Sequence, residues 1–261
     1  MIFYKPARTF AEFMVEFDSA VEQRGLVEAS RLMQRHFVRD VRVFGLGRVP
    51  DSAFLALSNH PGMTDTLALF CALNHPALKV IALDRPFLMA LPNLSRQLFY
   101  IKDDPVSRMK LVRQVSGHLR NGGAALTFPA GEIEPDPDVY PGATESLQTW
   151  TDSVGVFIRM APDTVILPML VRNVIWDKIA KHPLLKVKNT KAEREKLAAA
   201  LQLLAMMMWN VKPVTVTVQI GKPIDPKELR TTDTQVIHQA VLNEMKSLIE
   251  DPPEGEGISV L

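Results

Sequence analysis

Phe54-Leu55-Ala56-Leu57-Ser58-Asn59-His60-Pro61-Gly62-Met63-Thr64-Asp65-Thr66-Leu67-Ala68-Leu69-Phe70-Cys71-Ala72-Leu73 is the stretch whose reading decides the fold. Its first four residues form an apolar run that reads as a strand, and Thr66 to Leu73 carries the pattern of a buried helix. Pro61 and Gly62 mark the turn between them. On a single helix, a histidine and an aspartate five residues apart would be rotated from each other by about 140°. With His60 in the turn and Asp65 in the first helical turn, they can meet. An imidazole then stands at the carboxyl end of a strand with one nitrogen held by a carboxylate, which is a general base and its orienter. Histidine and aspartate also gather at turns for capping and solubility, so spacing alone leaves both uses open. The chain carries its own control: Asn74-His75-Pro76 repeats three letters, but Val80 stands five places after His75 and a strand pattern follows. His75 therefore reads as a loop histidine.

Outward from this stretch, strands and helices alternate. Upstream, Phe10, Phe13, Met14, Phe17 and Val21 lie at helical spacing up to Gly25, and a second helical pattern runs from Val27 to Val38. Residues 1–40 thus read as a helical hairpin that covers a sheet face, stands beside the sheet as a small bundle, or lines an acyl channel. Strand patterns follow at Val41–Phe44, Lys79–Leu83, Leu98–Ile101, Ala124–Phe128, Thr164–Val171 and Val214–Ile220. Pro168 inside the sixth of the chain's seven predicted strands argues for an edge, a bulge or the strand's end. Helical patterns cover Val106–Leu119, residues 144–160, Leu197–Trp209 and Val236–Ile249. The Leu197–Trp209 pattern is apolar nearly all round, which suits burial on two sides or a face turned to a membrane or an acyl chain. The expected fold class is α/β, with a mixed, largely parallel central sheet over residues 41–250, helices on both faces, and a flexible acidic tail at 251–261.

Bulk properties narrow the function. The 261 residues carry 47% apolar side chains and a formal net charge of +1, which gives no electrostatic case for nucleic-acid binding. A lone cysteine, Cys71, excludes an intrachain disulfide framework. The six histidines form no metal-ligand spacing, so no metal is expected. A Walker A loop, a dinucleotide-binding glycine loop and a nucleophile elbow are all absent. Lys5, Arg8 and Glu12 interrupt the amino-terminal apolar residues, and no apolar run reaches the roughly 18 residues of a membrane span. The expected location is cytoplasmic or peripheral on the cytoplasmic membrane face. The lysines at 178, 181, 186, 188 and 191 suit anionic headgroups or a plain solvated surface. What remains is a His-Asp base with no resident nucleophile, a device for taking a proton from a hydroxyl that a substrate brings.

At this point the residues carry a resemblance. Asn59-His60-x4-Asp65 resembles the first signature block of the glycerolipid acyltransferases, the family of glycerol-3-phosphate and 1-acylglycerol-3-phosphate acyltransferases. Phe128-Pro129-Ala130-Gly131-Glu132 resembles its third block and Ile166-Leu167-Pro168 its fourth, while Phe99-Tyr100-Ile101-Lys102-Asp103 falls where the second belongs. By that resemblance the chain moves a fatty acyl group from acyl-CoA or acyl-carrier protein, as co-substrate rather than cofactor, to a hydroxyl of a glycerophospholipid precursor. His60 and Asp65 are the implied catalytic residues. Asn59, Thr64, Lys102, Phe128, Pro129, Gly131 and Glu132 are the implied substrate-binding residues, and backbone N–H groups near Gly131 and in the first helical turn after Pro61 are candidates for the oxyanion.

The sequence also departs from the family. Ala130 stands at the usual glutamate, and Ile133 and Asp103 stand at the usual arginines, which the family associates with the acceptor's phosphate. Lys102, Arg108, Lys110 and Arg172 are the candidate substitutes. Lysine supplies charge without the bidentate fork of arginine. Two other readings remain: a non-catalytic lipid or acyl-CoA binding protein of this architecture, and a thioesterase in which His60 activates water. Oligomeric state is not legible in the chain.

Overall fold

The computed structural model describes residues 4–62 and 64–261. Residues 1–3 of the expected hairpin and Met63 of the expected turn lie outside them. Helix α1 (Tyr4–Arg24) and helix α2 (Leu26–Phe37) are separated by Gly25 alone, at φ 81°, a left-handed conformation that glycine adopts without a Cβ penalty. The strands are β1 (Asp40–Phe44), β2 (Phe54–Ser58), β3 (Leu78–Leu83), β4 (Leu98–Ile101), β5 (Ala124–Thr127), β6 (Val165–Arg172), β7 (Thr215–Ile220) and β8 (Ile258–Ser259). They form one sheet in the order β4-β3-β5-β2-β6-β7-β1-β8. All neighbours are parallel except β6 with β7 and β1 with β8. The mixed, largely parallel α/β sheet is the one its alternating patterns predict.

Helices cover both faces, and the two-residue period of the strands sorts their side chains between two cores. Phe54 and Ala56 of β2, with Leu126 of β5 and Leu167 of β6, face a core shared with α1, α2 and helix α3 (Asp65–Leu73). Leu55 and Leu57 of β2, with Ile166 and Leu170 of β6, face the other. That second core is closed by the helices Pro105–Arg120, Ser153–Met160 and Thr234–Glu250. All five residues of β2 are buried, as befits a strand packed on both sides.

Pro168 is neither on an edge strand nor at a strand's end, since β6 lies between β2 and β7 and runs on to Arg172; of its three readings the bulge holds. Its ring falls where the β7 ladder is interrupted, between the Met169–Ile220 pair and the Ile166–Ile224 bridge, so no ladder donor is missed. Pro168 still accepts there from the Gly221 N–H at 2.8 Å. The tail is not free along its length either. Ile258 and Ser259 pair antiparallel with β1, Arg42 donates to the Gly257 carbonyl, and Val260 and Leu261 pack on the first core. An acidic, Pro- and Gly-rich lead-in concealed a short apolar closing strand.

The order of the sheet sets the site. Strands β5, β2 and β6 are adjacent and parallel, so their carboxyl ends open side by side, where ligands gather in such sheets. His60 follows β2, the segment Phe128–Glu134 follows β5, and Val174 and Ile175 follow β6.

Candidate active site

Between β2 and α3 the chain turns through Pro61 and Gly62. A Cβ at Gly62 would lie 2.9 Å from Val174 Cγ1, so this position admits only glycine without displacing its neighbour. The turn brings His60 Nδ1 to 2.8 Å from Asp65 Oδ2. The same carboxylate oxygen accepts from the Gly62 N–H at 3.0 Å, and Asp65 Oδ1 accepts from Thr66 N–H and Oγ1. Asp65 is wholly buried, and its two oxygens already accept from the Gly62 and Thr66 N–H groups. Facing those acceptor oxygens, Nδ1 carries the imidazole proton and Nε2 presents a lone pair. Nε2 has no hydrogen-bond partner among the described residues. Burial depresses the imidazole's pKa, but the charge and hydrogen bond of Asp65 and the charge of Glu134 outweigh it, and the net direction is upward from 6.5.

His60 lines a cavity of about 560 Å³. One wall comes from α1 and α2 through Phe10, Met14, Phe17, Met33 and Phe37, and another from Leu67 and Phe70 of α3. Ala199, Leu203 and Met206 of the helix Lys191–Trp209 line it too, so that helix turns part of its apolar surface to the cavity. The cations lining the cavity are Arg85 and Lys196, both on exposed residues.

The sequence-predicted residues divide. Thr64, Phe128, Gly131 and Glu132 line the cavity with His60. The Phe128 ring lies against the imidazole, with centroids 4.7 Å apart. Thr64 Oγ1 is buried without a partner, while its carbonyl accepts from Gln34 Nε2. Gly131 has φ 69°, and its N–H donates to the Phe128 carbonyl at 3.0 Å, closing a turn with Pro129 at its second position. That N–H is already engaged, which removes it as an oxyanion donor.

Asn59, Pro129 and Lys102 are elsewhere. The Asn59 amide pairs with both backbone groups of Val171, tying β2 to β6, because a buried primary amide must satisfy its donor and its acceptor together. The Pro129 carbonyl accepts from Thr151. Lys102 is exposed and off the cavity wall. Among the other candidate cations, Arg108 is paired with Asp103 on the surface. Arg172 is buried, its guanidinium donating to Gln219, Asp138 and the carbonyls of Leu248 and Ile249. It anchors the Thr234–Glu250 helix and has nothing left for a phosphate.

Two carboxylates were missed in favour of Glu132. Glu134 exchanges hydrogen bonds with the His60 backbone: its Oε2 accepts from His60 N–H at 3.2 Å, and its own N–H donates to the His60 carbonyl at 3.0 Å. Asp136 accepts from the N–H groups of Asp138, Asn173, Val174 and Ile175. The loop after β5 is thereby laced to the loops after β2 and after β6. The available signal was the alternation of acids at 132, 134, 136 and 138 directly after the third block.

Among the described residues, no group of three His, Cys, Asp or Glu could hold a metal ion, and no helix is long and apolar enough to cross a membrane. No family model matches the sequence, and neither does any curated protein. The fold is similar to the crystal structure of the 1-acyl-sn-glycerophosphate (LPA) acyltransferase PlsC from Thermotoga maritima. The TM-score is 0.51 at 17% identity, over 88% of this chain and 79% of that one. The similarity is one of fold, a mixed α/β sheet covered by helices.

Proposed function

We propose that the protein is an O-acyltransferase that moves a fatty acyl group from acyl-CoA or acyl-carrier protein to a hydroxyl of a glycerophospholipid precursor such as 1-acylglycerol-3-phosphate. The observation that carries this reading is the Asp65-held imidazole of His60 on the wall of a deep apolar cavity. His60 Nε2 takes the proton of the acceptor hydroxyl as its oxygen attacks the thioester carbonyl. The C–S bond then breaks, and the imidazolium returns the proton to the departing thiolate. Asp65 keeps the productive tautomer and stabilises the imidazolium. The fatty chain lies among Phe10, Met14, Phe70 and Leu203, where each buried methylene contributes about 0.8 kcal/mol. Arg85 and Lys196 meet the phosphates of acceptor or donor, a task that Arg172 and Lys102 are not placed to perform. The lipid acceptor carries with it a peripheral position on the cytoplasmic membrane face.

The test incubates purified protein and His60→Ala with labelled palmitoyl-CoA and a panel of phosphorylated and unphosphorylated acceptors, resolving products by mass spectrometry. An acylated acceptor formed by the parent and reduced at least about a thousandfold in the variant is the expected result. Equal turnover by both would sink the mechanism, and free fatty acid without acceptor would make the enzyme a thioesterase.

A further inference from the structure

We infer that Glu134 is a positioning residue for the base: its carboxylate grips the His60 main chain from behind and sets a second carboxylate beside the residue that Asp65 already holds. The catalytic half of this inference rests on the acyl-transfer reading; the electrostatic half does not.

The geometry carries it. Glu134 engages both backbone polar groups of residue 60, one through its side chain and one through its own N–H. Its other oxygen, Oε1, accepts from Trp150 Nε1 at 2.7 Å and from Ser146 Oγ at 3.2 Å. Trp150 is buried in the second core, on the far side of the sheet from the hairpin. The base is thus tied through one carboxylate to the opposite layer of the molecule.

Three donors converge on two oxygens, an arrangement a carboxylate satisfies and an amide does not. A glutamine nitrogen would face either the His60 N–H or the Trp150 N–H, hydrogen against hydrogen. The neutral acid is also accommodated. Ser146 Oγ has the Ala143 carbonyl at 2.7 Å, and with its hydrogen there it offers Glu134 a lone pair. Burial lifts the Glu134 carboxyl to about 7, against the lowering by Trp150, Ser146 and His60. The group therefore changes charge in the range where an imidazole base works. His60 is bracketed by Asp65 at its ring and Glu134 behind its backbone, and the remaining charged residues on the cavity wall are Glu132, Arg85 and Lys196.

The experiment titrates the imidazole of His60 by NMR in ¹⁵N-histidine-labelled full-length protein, assigned with His60→Asn, and compares the parent with Glu134→Gln. The His60 midpoint is expected to fall by about half a unit or more in the variant. In parallel assays kcat should drop about ten- to a hundredfold, with KM for the acyl donor changed less than about threefold. An unchanged His60 midpoint together with an unchanged kcat in folded Glu134→Gln overturns the inference, whatever happens to thermal stability. If Glu134→Gln does not fold, Ser146→Ala keeps the carboxylate and removes one donor. It should move the His60 midpoint down by a smaller step, and no movement there overturns the inference. A moved midpoint in a protein that acylates no acceptor supports the coupling and defeats the transferase reading instead.

Discussion

The Asn59 side chain pairs with the Val171 backbone as a strand residue would, donating at 3.0 Å and accepting at 2.8 Å across the carboxyl ends of β2 and β6. It extends the sheet by one step at the point where His60 leaves it. Replacing Asn59 by alanine orphans two buried backbone groups, at a cost of about 2–4 kcal/mol. Urea denaturation should show that loss while KM for the acyl donor stays within about twofold. A raised KM with unchanged stability would return Asn59 to the substrate-binding set.

Asp65→Asn alters the tautomer logic of the site, since an amide can donate to Nδ1 and pull the imidazole proton to Nε2. The expected loss in kcat is about three to four orders of magnitude, on the scale of other His-Asp pairs. Two of the donors now facing Asp65 come from the chain on either side of it, Gly62 and Thr66, so stability should fall as well. Steady-state kinetics beside a thermal melt separates the two losses, and a fully active Asp65→Asn would refute the role.

The buried acid at position 134 leaves a mark on stability against pH. Its folded pKa, about 7, lies above its ordinary 4.5, so the folded state holds a proton that the unfolded chain has released. Stability from this group is full below pH 4.5 and is lost as pH rises toward 7, a span worth about 3 kcal/mol. His60, raised from 6.5, adds a slope of the same sign as pH passes its folded value. Denaturation across pH 4.5–7.5 should show Glu134→Gln with the flatter curve; parallel curves would contradict the assignment.

Met206 is buried and lines the cavity from the helix Lys191–Trp209. Met206→Trp adds bulk there, and the preferred acyl donor should shift to a shorter chain in competition assays with mixed acyl-CoAs. An unaltered chain-length profile would move the acyl site elsewhere.

Much of this site was legible because its signals are local. The strand before His60, the Pro61-Gly62 turn and the helix after it are each written in adjacent residues, and together they bring His60 to Asp65. Glu134, Asn59 and Arg172 were not legible for the opposite reason. Their partners are 74, 112 and 47 positions away (His60, Val171 and Gln219), and only the sheet order brings them together. Nothing in periodicity separates Glu132, which faces the cavity, from Glu134, which faces the His60 backbone. Lys102 holds its place in a motif, and motif position says nothing about which way an exposed side chain points. Pro168 pointed to a bulge without saying which strand carries it, because a break in one flanking ladder is a property of β7 rather than of β6.

The hairpin of α1 and α2 and the sheet share the walls of the cavity, with Phe17 and Phe37 on one bank and Val80 on the other. A fatty chain seated there is a piece of hydrophobic interior delivered from outside. Occupancy and cohesion of these layers are then one equilibrium, and donor at a hundred times its Kd would raise the unfolding free energy by about 2.7 kcal/mol.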